Sequence, residues 1–389
     1  MNLESIQREL QRAGLDGWLF FDHHLRDPLA YRVLGLPMTG HVTRRWYYFI
    51  PAQGEPQALV HGVEPHVLDA LPGPKTVYVR WQEQQSGLRG ILGSAQRVAM
   101  QYSPQCAVPY VANVDAGTVE SVRGLGVEVV SAAELIQVFE SCWTPAMVEM
   151  HLEAGRRVDR IRAEAFERAR RETRAGSAID EFALQQFIMG RFAEAGLITD
   201  SPPIVGVNAN ASDPHYCPVR VGSASIQRGD LILLDLWAKL DDPQAVYYDI
   251  TWMAYCGDEP PQRISEVFNV VIGARDAGIR TVQEAVAAGR TLRGFEVDDA
   301  VRGFIAARGF GKFFRHRTGH SIGREVHGVG ANMDNYETHD ERTIIPGTCF
   351  SIEPGIYLPE FGVRSEVDVF VEEHAARVTG ESQTTLCLL

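Results

Sequence analysis

The chain has 389 residues, 45% hydrophobic and 22% charged, a composition that fits a compact globular protein and excludes a low-complexity disordered one. Its formal net charge of -13 repels phosphate backbones and anionic membrane surfaces, and no dense Lys/Arg tract offsets it, so neither nucleic acid nor a membrane is expected as a partner. The start MNLESIQREL has no basic segment followed by an apolar one, and no run approaches the ~18 apolar residues of a membrane span. Cytoplasmic residence is therefore the expectation. Six cysteines (Cys106, Cys142, Cys217, Cys256, Cys349, Cys387) are scattered without CxxC spacing and read as reduced core thiols, not as a disulfide framework or a zinc ribbon.

At this length two domains are the starting expectation. In chain order, Leu3, Ile6 and Leu10 followed by Gly14 predict a helix, and the runs GWLFF and RRWYYFIP predict strands. QALVHG, KTVYVRW and VEVVS add strands, interleaved with helical stretches around Val119 and Leu135, so the first ~140 residues read as a small α/β domain. Between the first two strands, FFDHHLRDPLAYRVLGLPMTGHVTRRW reads as a long irregular stretch. A break falls near Ser141 to Pro145, where Thr144 is placed to cap a helix whose first residue is Pro145. Ser177 and Asp180 resemble a capping box, and helical patterns recur from about Ile264 and from about Leu292. Between and after them lie the β-rich segments LILLDLWAKL, AVYYDITWMAYC, GTCFSIEPGIYL and GVRSEVDVFVEE.

Those segments carry the chemistry. Asp235 follows the apolar run Leu231 to Leu234, Asp249 sits among Val246, Tyr247, Tyr248 and Ile250, and Glu353 ends a strand before Pro354, which cannot donate to a ladder. In GVRSEVDVFVEE, Val363, Ser365, Val367, Val369 and Val371 share one face while Arg364, Glu366 and Asp368 share the other. A single carboxylate in a strand is usually edge-exposed or ion-paired. Four in apolar strands are harder to dismiss, because burying unpartnered ionised groups costs roughly several kcal/mol each. Divalent cations would neutralise them, and His320 completes a mainly oxygen ligand set suited to Mn, Co, Fe or Zn in a paired site that activates water. The segment HRTGHSIGREVHGVG, dense in glycine, reads as a loop wrapping such a site and lacks the HExxH pattern of helical zinc proteases.

The motifs DLWAKLDDPQAVYYDIT, HRTGHSIGREVHGVG, SIEPGIY and GVRSEVD, in that order, resemble the pita-bread (M24) metallopeptidases, particularly Xaa-Pro dipeptidases (prolidases) and Xaa-Pro aminopeptidases. The resemblance covers about 143 to 389 and implies an α/β (α+β) pita-bread catalytic domain there, preceded over 1–142 by a smaller creatinase-like α/β domain. It also implies two divalent metal ions, Mn2+ foremost with Co2+, Zn2+ or Fe2+ as alternatives, and a homodimer. By motif, Asp235, Asp249, His320, Glu353 and Glu366 correspond to the five ligands, with Asp249 and Glu366 bridging and Glu353 also shuttling the proton. His215, His316, His327 and Arg364 correspond to substrate-binding or intermediate-stabilising positions, His215 and His327 with catalytic roles beside Glu353. The implied reaction is attack of activated water on the peptide bond preceding proline in a proline-containing di- or oligopeptide.

Three positions depart from the family pattern. Asp235 and Asp249 are fourteen residues apart, three more than usual, so the turn around Asp241 to Gln244 must absorb an insertion. Trp252 stands where an arginine is common, and Val367 where an acidic residue is common. Rival readings are an aminopeptidase acting on longer peptides, a creatinase-like carbon-nitrogen hydrolase without metals, and a catalytically silent binding protein. Dipeptides are expected over longer chains, because Tyr31 or Arg32 of a partner subunit is placed to close the pocket and Arg364 to clamp a free substrate carboxylate.

Overall fold

The computed structural model describes residues 1–177 and 179–389, and the chain divides into two compact units, Met1–Glu140 and Ser141–Leu389. Among the described residues, no helix is long and apolar enough to cross a membrane. All six cysteines are free, and only Cys256 and Cys349 are buried, so the expectation of core thiols holds for those two while Cys106 and Cys217 lie exposed.

The N-terminal unit is built on a six-stranded sheet ordered Lys75–Tyr78, Gln57–His61, Trp46–Pro51, Gly17–Asp22, Arg97–Met100, Glu128–Ser131. Trp46–Pro51 runs antiparallel to both of its neighbours, and the remaining pairs are parallel. Helices Trp81–Leu92 and Ala116–Arg123 cover one face, where Leu88, Ile91, Val119 and Val122 pack on Leu19, Phe21, Tyr47 and Leu59. Two local expectations need correcting. The strand over KTVYVRW stops at Tyr78 and Trp81 opens a helix, because the Glu83 carboxylate accepts the Val79 and Arg80 N–H groups and fixes a helix start there. The stretch read as irregular contains the helix Pro28–Leu34, with Asp27 accepting from the Leu29 and Ala30 N–H groups, Pro28 in the first turn and Gly35 at φ 68° closing it. Within that helix Tyr31 is buried and donates to Asp22 Oδ2 at 2.8 Å, while Arg32 pairs with Glu140 at 2.7 Å. Both side chains are therefore engaged inside the unit.

In the second unit Thr144 caps the helix Pro145–Ala175, its hydroxyl accepting from Met147 N–H, and Gly176 at φ 69° ends it. The next helix, Glu181–Glu194, is capped by Asp180 through Ala183 N–H at 2.7 Å, in place of the Ser177 box. These two helices pack on a sheet formed by Leu231–Leu240 and Tyr248–Tyr255, flanked by Leu197–Ile198, Ile204–Val207 and Cys387–Leu388. Helices Gln262–Ala287 and Gly294–Ala306 pack on a second sheet of Ser321–Ile322, Cys349–Ile352, Val367–Val371 and Ala376–Val378. The segment GVRSEVDVFVEE is not one strand: Gly362–Arg364 pairs with Gly355–Tyr357, Val367–Val371 pairs with Cys349–Ile352, and Ser365 and Glu366 lie between.

His151, on the long helix, joins the two halves of the unit: its Nδ1 meets the Tyr247 carbonyl and its Nε2 the Thr379 hydroxyl, both at 2.7 Å. Burial lowers its pKa to about 4. The folded value lies below the unfolded ~6.5, so the unfolded chain binds more protons in between; the stabilisation is complete above pH 6.5 and about 3 kcal/mol is lost as pH falls to 4. In denaturant titrations at pH 7 and pH 4.5, His151→Gln, which keeps a hydrogen-bonding side chain but does not titrate, is expected to lose less stability between the two pH values than the parent. Equal losses would remove His151 from the acid response.

Candidate metal centre

The site begins with a hairpin. Strands Leu231–Leu240 and Tyr248–Tyr255 pair antiparallel with Asp235 opposite Thr251 and Trp237 opposite Asp249, so Asp235 and Asp249 are diagonal neighbours on one face. The extra length between them is taken up in residues 241–247, beyond the paired Asp235–Trp237 and Asp249–Thr251 segments, and leaves both carboxylates on the same side. Trp252 lies on the opposite face, where the Arg162 guanidinium stacks 3.5 Å from its ring. It takes no place among the carboxylates.

The second sheet supplies the rest. Ser351 organises this edge: its N–H donates to the His320 carbonyl at 2.9 Å, and its hydroxyl accepts from His320 N–H at 3.0 Å. Glu353 follows directly, its N–H bonded to the Thr318 carbonyl at 2.7 Å. His320 Nε2 then lies 3.4 Å from Glu353 Oε1 and 3.6 Å from Asp249 Oδ2. Glu366 N–H donates to the Thr251 carbonyl at 3.2 Å and its Oε2 accepts from the Thr251 hydroxyl at 2.8 Å, which fastens the second sheet to the hairpin. Ligand atoms of Asp249, His320 and Glu366 lie within 4.8 Å of one another, and all three residues are buried.

Electrostatics at this point are severe. Asp249 and Glu366 are held well above the usual carboxylate range, first by burial and then by neighbouring carboxylates, while burial pushes Glu353 up to about 7 against the opposing pull of Arg364. Burial, and then His327, keeps His320 well below its ordinary value and therefore neutral, the form that ligates metals. Among the described residues, Asp249 Oδ1 is buried with no hydrogen-bond partner. A buried, unpartnered carboxylate oxygen amid other carboxylates and one neutral imidazole is the donor set of a hard or borderline divalent cation.

The remaining expected residues divide. His327 lies beside the set, its ring 4.4 Å from that of His320, and burial lowers its pKa to about 4. His215 is in an exposed loop, next to Pro214, whose carbonyl accepts from Arg364 Nη1 at 3.4 Å. His316 has both ring nitrogens engaged, with the Arg317 carbonyl and the Tyr357 hydroxyl at 2.7 Å each, so a substrate contact through either requires one bond to be exchanged. Arg364 departs from its expected position. It is buried, with Nη2 on Asp235 at 2.5 Å, Nη1 on Tyr357 at 3.1 Å and Nε on Thr251 at 3.1 Å, so it neutralises the acidic cluster from within and is not a free clamp for a substrate carboxylate.

Three contributors were not assigned from the sequence. Thr251 ties Glu366 to Arg364, Tyr357 links Arg364 to His316, and buried Asp368 accepts from Asp249 N–H at 2.8 Å. Asp368 shared the acidic face of its strand with Glu366, and Thr251 shares a face with Asp249 two residues earlier; that alternation was the available signal.

A helix-backed pair of sheets converging on a buried carboxylate and imidazole set forms a candidate divalent-metal centre. The chain belongs to metallopeptidase family M24, whose model matches residues 151–373. It is 32% identical over 198 residues to an uncharacterized peptidase of Bacillus subtilis, covering 48% of each chain, and 31% identical over 153 residues to an Xaa-Pro dipeptidase of Pyrococcus horikoshii, covering 39% of this chain and 40% of that one. The chain spans about half the length of the curated relatives it matches, or less. Among solved structures, a dipeptidase of Mycobacterium ulcerans aligns over 99% of this chain and 96% of its own with TM-score 0.69 and 22% identity. A dipeptidase of Pyrococcus horikoshii aligns over 100% of both with TM-score 0.63 and 26% identity. The mixed α/β fold of this chain is therefore the prolidase, or pita-bread, fold.

If like-charge burial is relieved by cations, removing one charge should help the metal-free protein and harm the loaded one. Asp249→Asn is expected to raise the Tm of chelator-treated protein by about a few degrees and to abolish most of the Tm increase that excess Mn2+ gives the parent. An unchanged metal response in scanning fluorimetry would take Asp249 out of the ligand set.

Proposed function

We propose that this chain hydrolyses the peptide bond preceding proline in Xaa-Pro dipeptides, with two divalent cations held by Asp235, Asp249, His320, Glu353 and Glu366. The observation that carries this reading is the unpartnered Asp249 oxygen at the centre of a buried cluster drawn from both sheets of the catalytic unit. When bound, such cations supply Lewis acidity and lower the pKa of water toward neutrality. The remaining work falls to the chain. Glu353, at a strand end beside His320, takes the proton from water and passes it to the proline nitrogen as the bond breaks. His327, kept neutral by burial, donates one N–H to the oxyanion as the carbonyl becomes tetrahedral. His215, on its exposed loop, contacts substrate from the solvent side. Arg364 pairs with Asp235, and Tyr357 links that pair to His316.

The dipeptide preference rests on the similarity to proteins named dipeptidases, since Arg364, Tyr31 and Arg32 are engaged within the chain. Mn2+ suits the set of four carboxylates and one imidazole. Six free cysteines suit a reducing, cytoplasmic setting, and the net charge of -13 argues against nucleic acid as a partner. A homodimer completes the reading.

Two measurements test it. Exhaustive chelation is expected to abolish cleavage of an Xaa-Pro dipeptide and Mn2+ to restore it, with the C-terminally extended tripeptide cleaved at least about tenfold less efficiently in kcat/KM; equal cleavage of both would favour an aminopeptidase, and undiminished turnover without metal would overturn the centre. Glu353→Gln should lower kcat by about 10²–10⁴-fold, the usual span for a lost general acid or base, and His327→Ala should lower kcat more than it raises KM. Near-parent kcat in the glutamine variant would remove Glu353 from proton transfer.

A further inference from the structure

A second concave site lies in the N-terminal unit and shares no lining residue with the metal centre. It is a cavity of about 780 Å³, within the usual range for small-molecule sites, and every lining residue belongs to Met1–Glu140. Its position follows from the topology. Phe21, His61 and Tyr78 lie at the carboxyl ends of three strands that run the same way, His23 follows the first, and this edge of an open α/β sheet is where ligand crevices form.

Its charge runs against that of the whole chain. Arg26, Arg44 and Arg45 line it with His23 and His61, against the single carboxylate of Asp115. Asp115 is occupied as a helix cap, accepting from Thr118 N–H at 2.9 Å and from its hydroxyl at 2.8 Å. Among the described residues, neither Arg26 nor Arg45 is hydrogen-bonded or ion-paired through its guanidinium. The segment presenting the arginines is fixed: Glu64 accepts from Thr43 N–H at 2.9 Å, the Thr43 hydroxyl at 2.6 Å and Arg44 N–H at 3.1 Å, and Tyr78 donates to the Arg45 carbonyl at 2.8 Å. Burial, with the charges of His24 and Arg26, holds His23 below its ordinary value, as a locally positive field requires.

The walls are aromatic. Phe21 and Tyr47 pack with ring centroids 5.2 Å apart, His61 and Tyr78 at 5.0 Å, and the Trp81 indole stands 62% exposed at the rim. Phe21, Tyr47 and Tyr78 are almost wholly buried behind this surface, so the exposed Trp81 indole offers the face for a flat ring and the two guanidinium groups offer forks for phosphate or carboxylate oxygens.

We infer that this cavity binds a small anion that also carries a planar ring, gripped by Arg26 and Arg45 and stacked on Trp81. The inference does not depend on the peptidase reading.

Calorimetric titration of the metal-loaded full chain tests it, with phenyl phosphate, inorganic phosphate and phenol as probes at constant ionic strength. Phenyl phosphate should bind saturably and at least about tenfold more tightly than either fragment; the double substitution Arg26→Ala, Arg45→Ala should weaken it by at least about tenfold, the scale of lost charge-assisted hydrogen bonds, with the circular dichroism spectrum unchanged. Trp81→Ala should erase the preference over inorganic phosphate, and Glu353→Gln should leave binding intact. The proposal is overturned if no saturable binding occurs, if the arginine substitutions leave it unchanged, if Trp81→Ala preserves the preference, or if Glu353→Gln abolishes it, which would place the anion at the metal centre.

Discussion

The second unit is organised around one electrostatic problem: Asp235, Asp249, Glu353 and Glu366 are brought into a single region of low dielectric, where like charges repel strongly and water cannot screen them. Each surrounding feature answers it. Arg364 lies buried against Asp235, Thr251 donates to Glu366, and Asp249 keeps one oxygen without a partner among the described residues. The histidines beside the cluster are held neutral by their own burial. A protein selected for stability alone would gain from replacing such a cluster with apolar packing; keeping it is the mark of a site that works with cations bound.

The fold converts this demand into geometry by joining two sheets. The hairpin fixes Asp235 and Asp249 by register alone, because residues directly and diagonally opposite share a face. The other three groups come from chain ends and interruptions: His320 precedes a two-residue strand, Glu353 follows the strand Cys349–Ile352, and Glu366 sits in the break between Arg364 and Val367. Ladder bonds stop at these places, so side chains converge while the adjoining strands keep them rigid.

That distinction also explains what was legible in the sequence. Acidic residues inside apolar strands stand out, so Asp235, Asp249, Glu353 and Glu366 were readable from composition and order, and the helix at Thr144–Pro145 was readable from its cap. The same cap signal stands at Asp27–Pro28, inside a stretch whose pattern otherwise reads as irregular. The role of Arg364 was not readable, since its partner Asp235 is 129 residues away and only tertiary packing decides whether a guanidinium faces substrate or a neighbouring carboxylate. The break at Ser365–Glu366 was equally hidden, because alternation persists across it even though the pairing partner changes from Gly355–Tyr357 to Cys349–Ile352.

The central claim is that cations, not protons, neutralise the buried carboxylates at neutral pH. Anomalous diffraction from crystals grown with Mn2+ at pH 7.5 addresses it directly. The account predicts two anomalous peaks, with Asp249 and Glu366 between them and Asp235, His320 and Glu353 completing their ligands. A map without peaks in this cluster at saturating Mn2+ would contradict it.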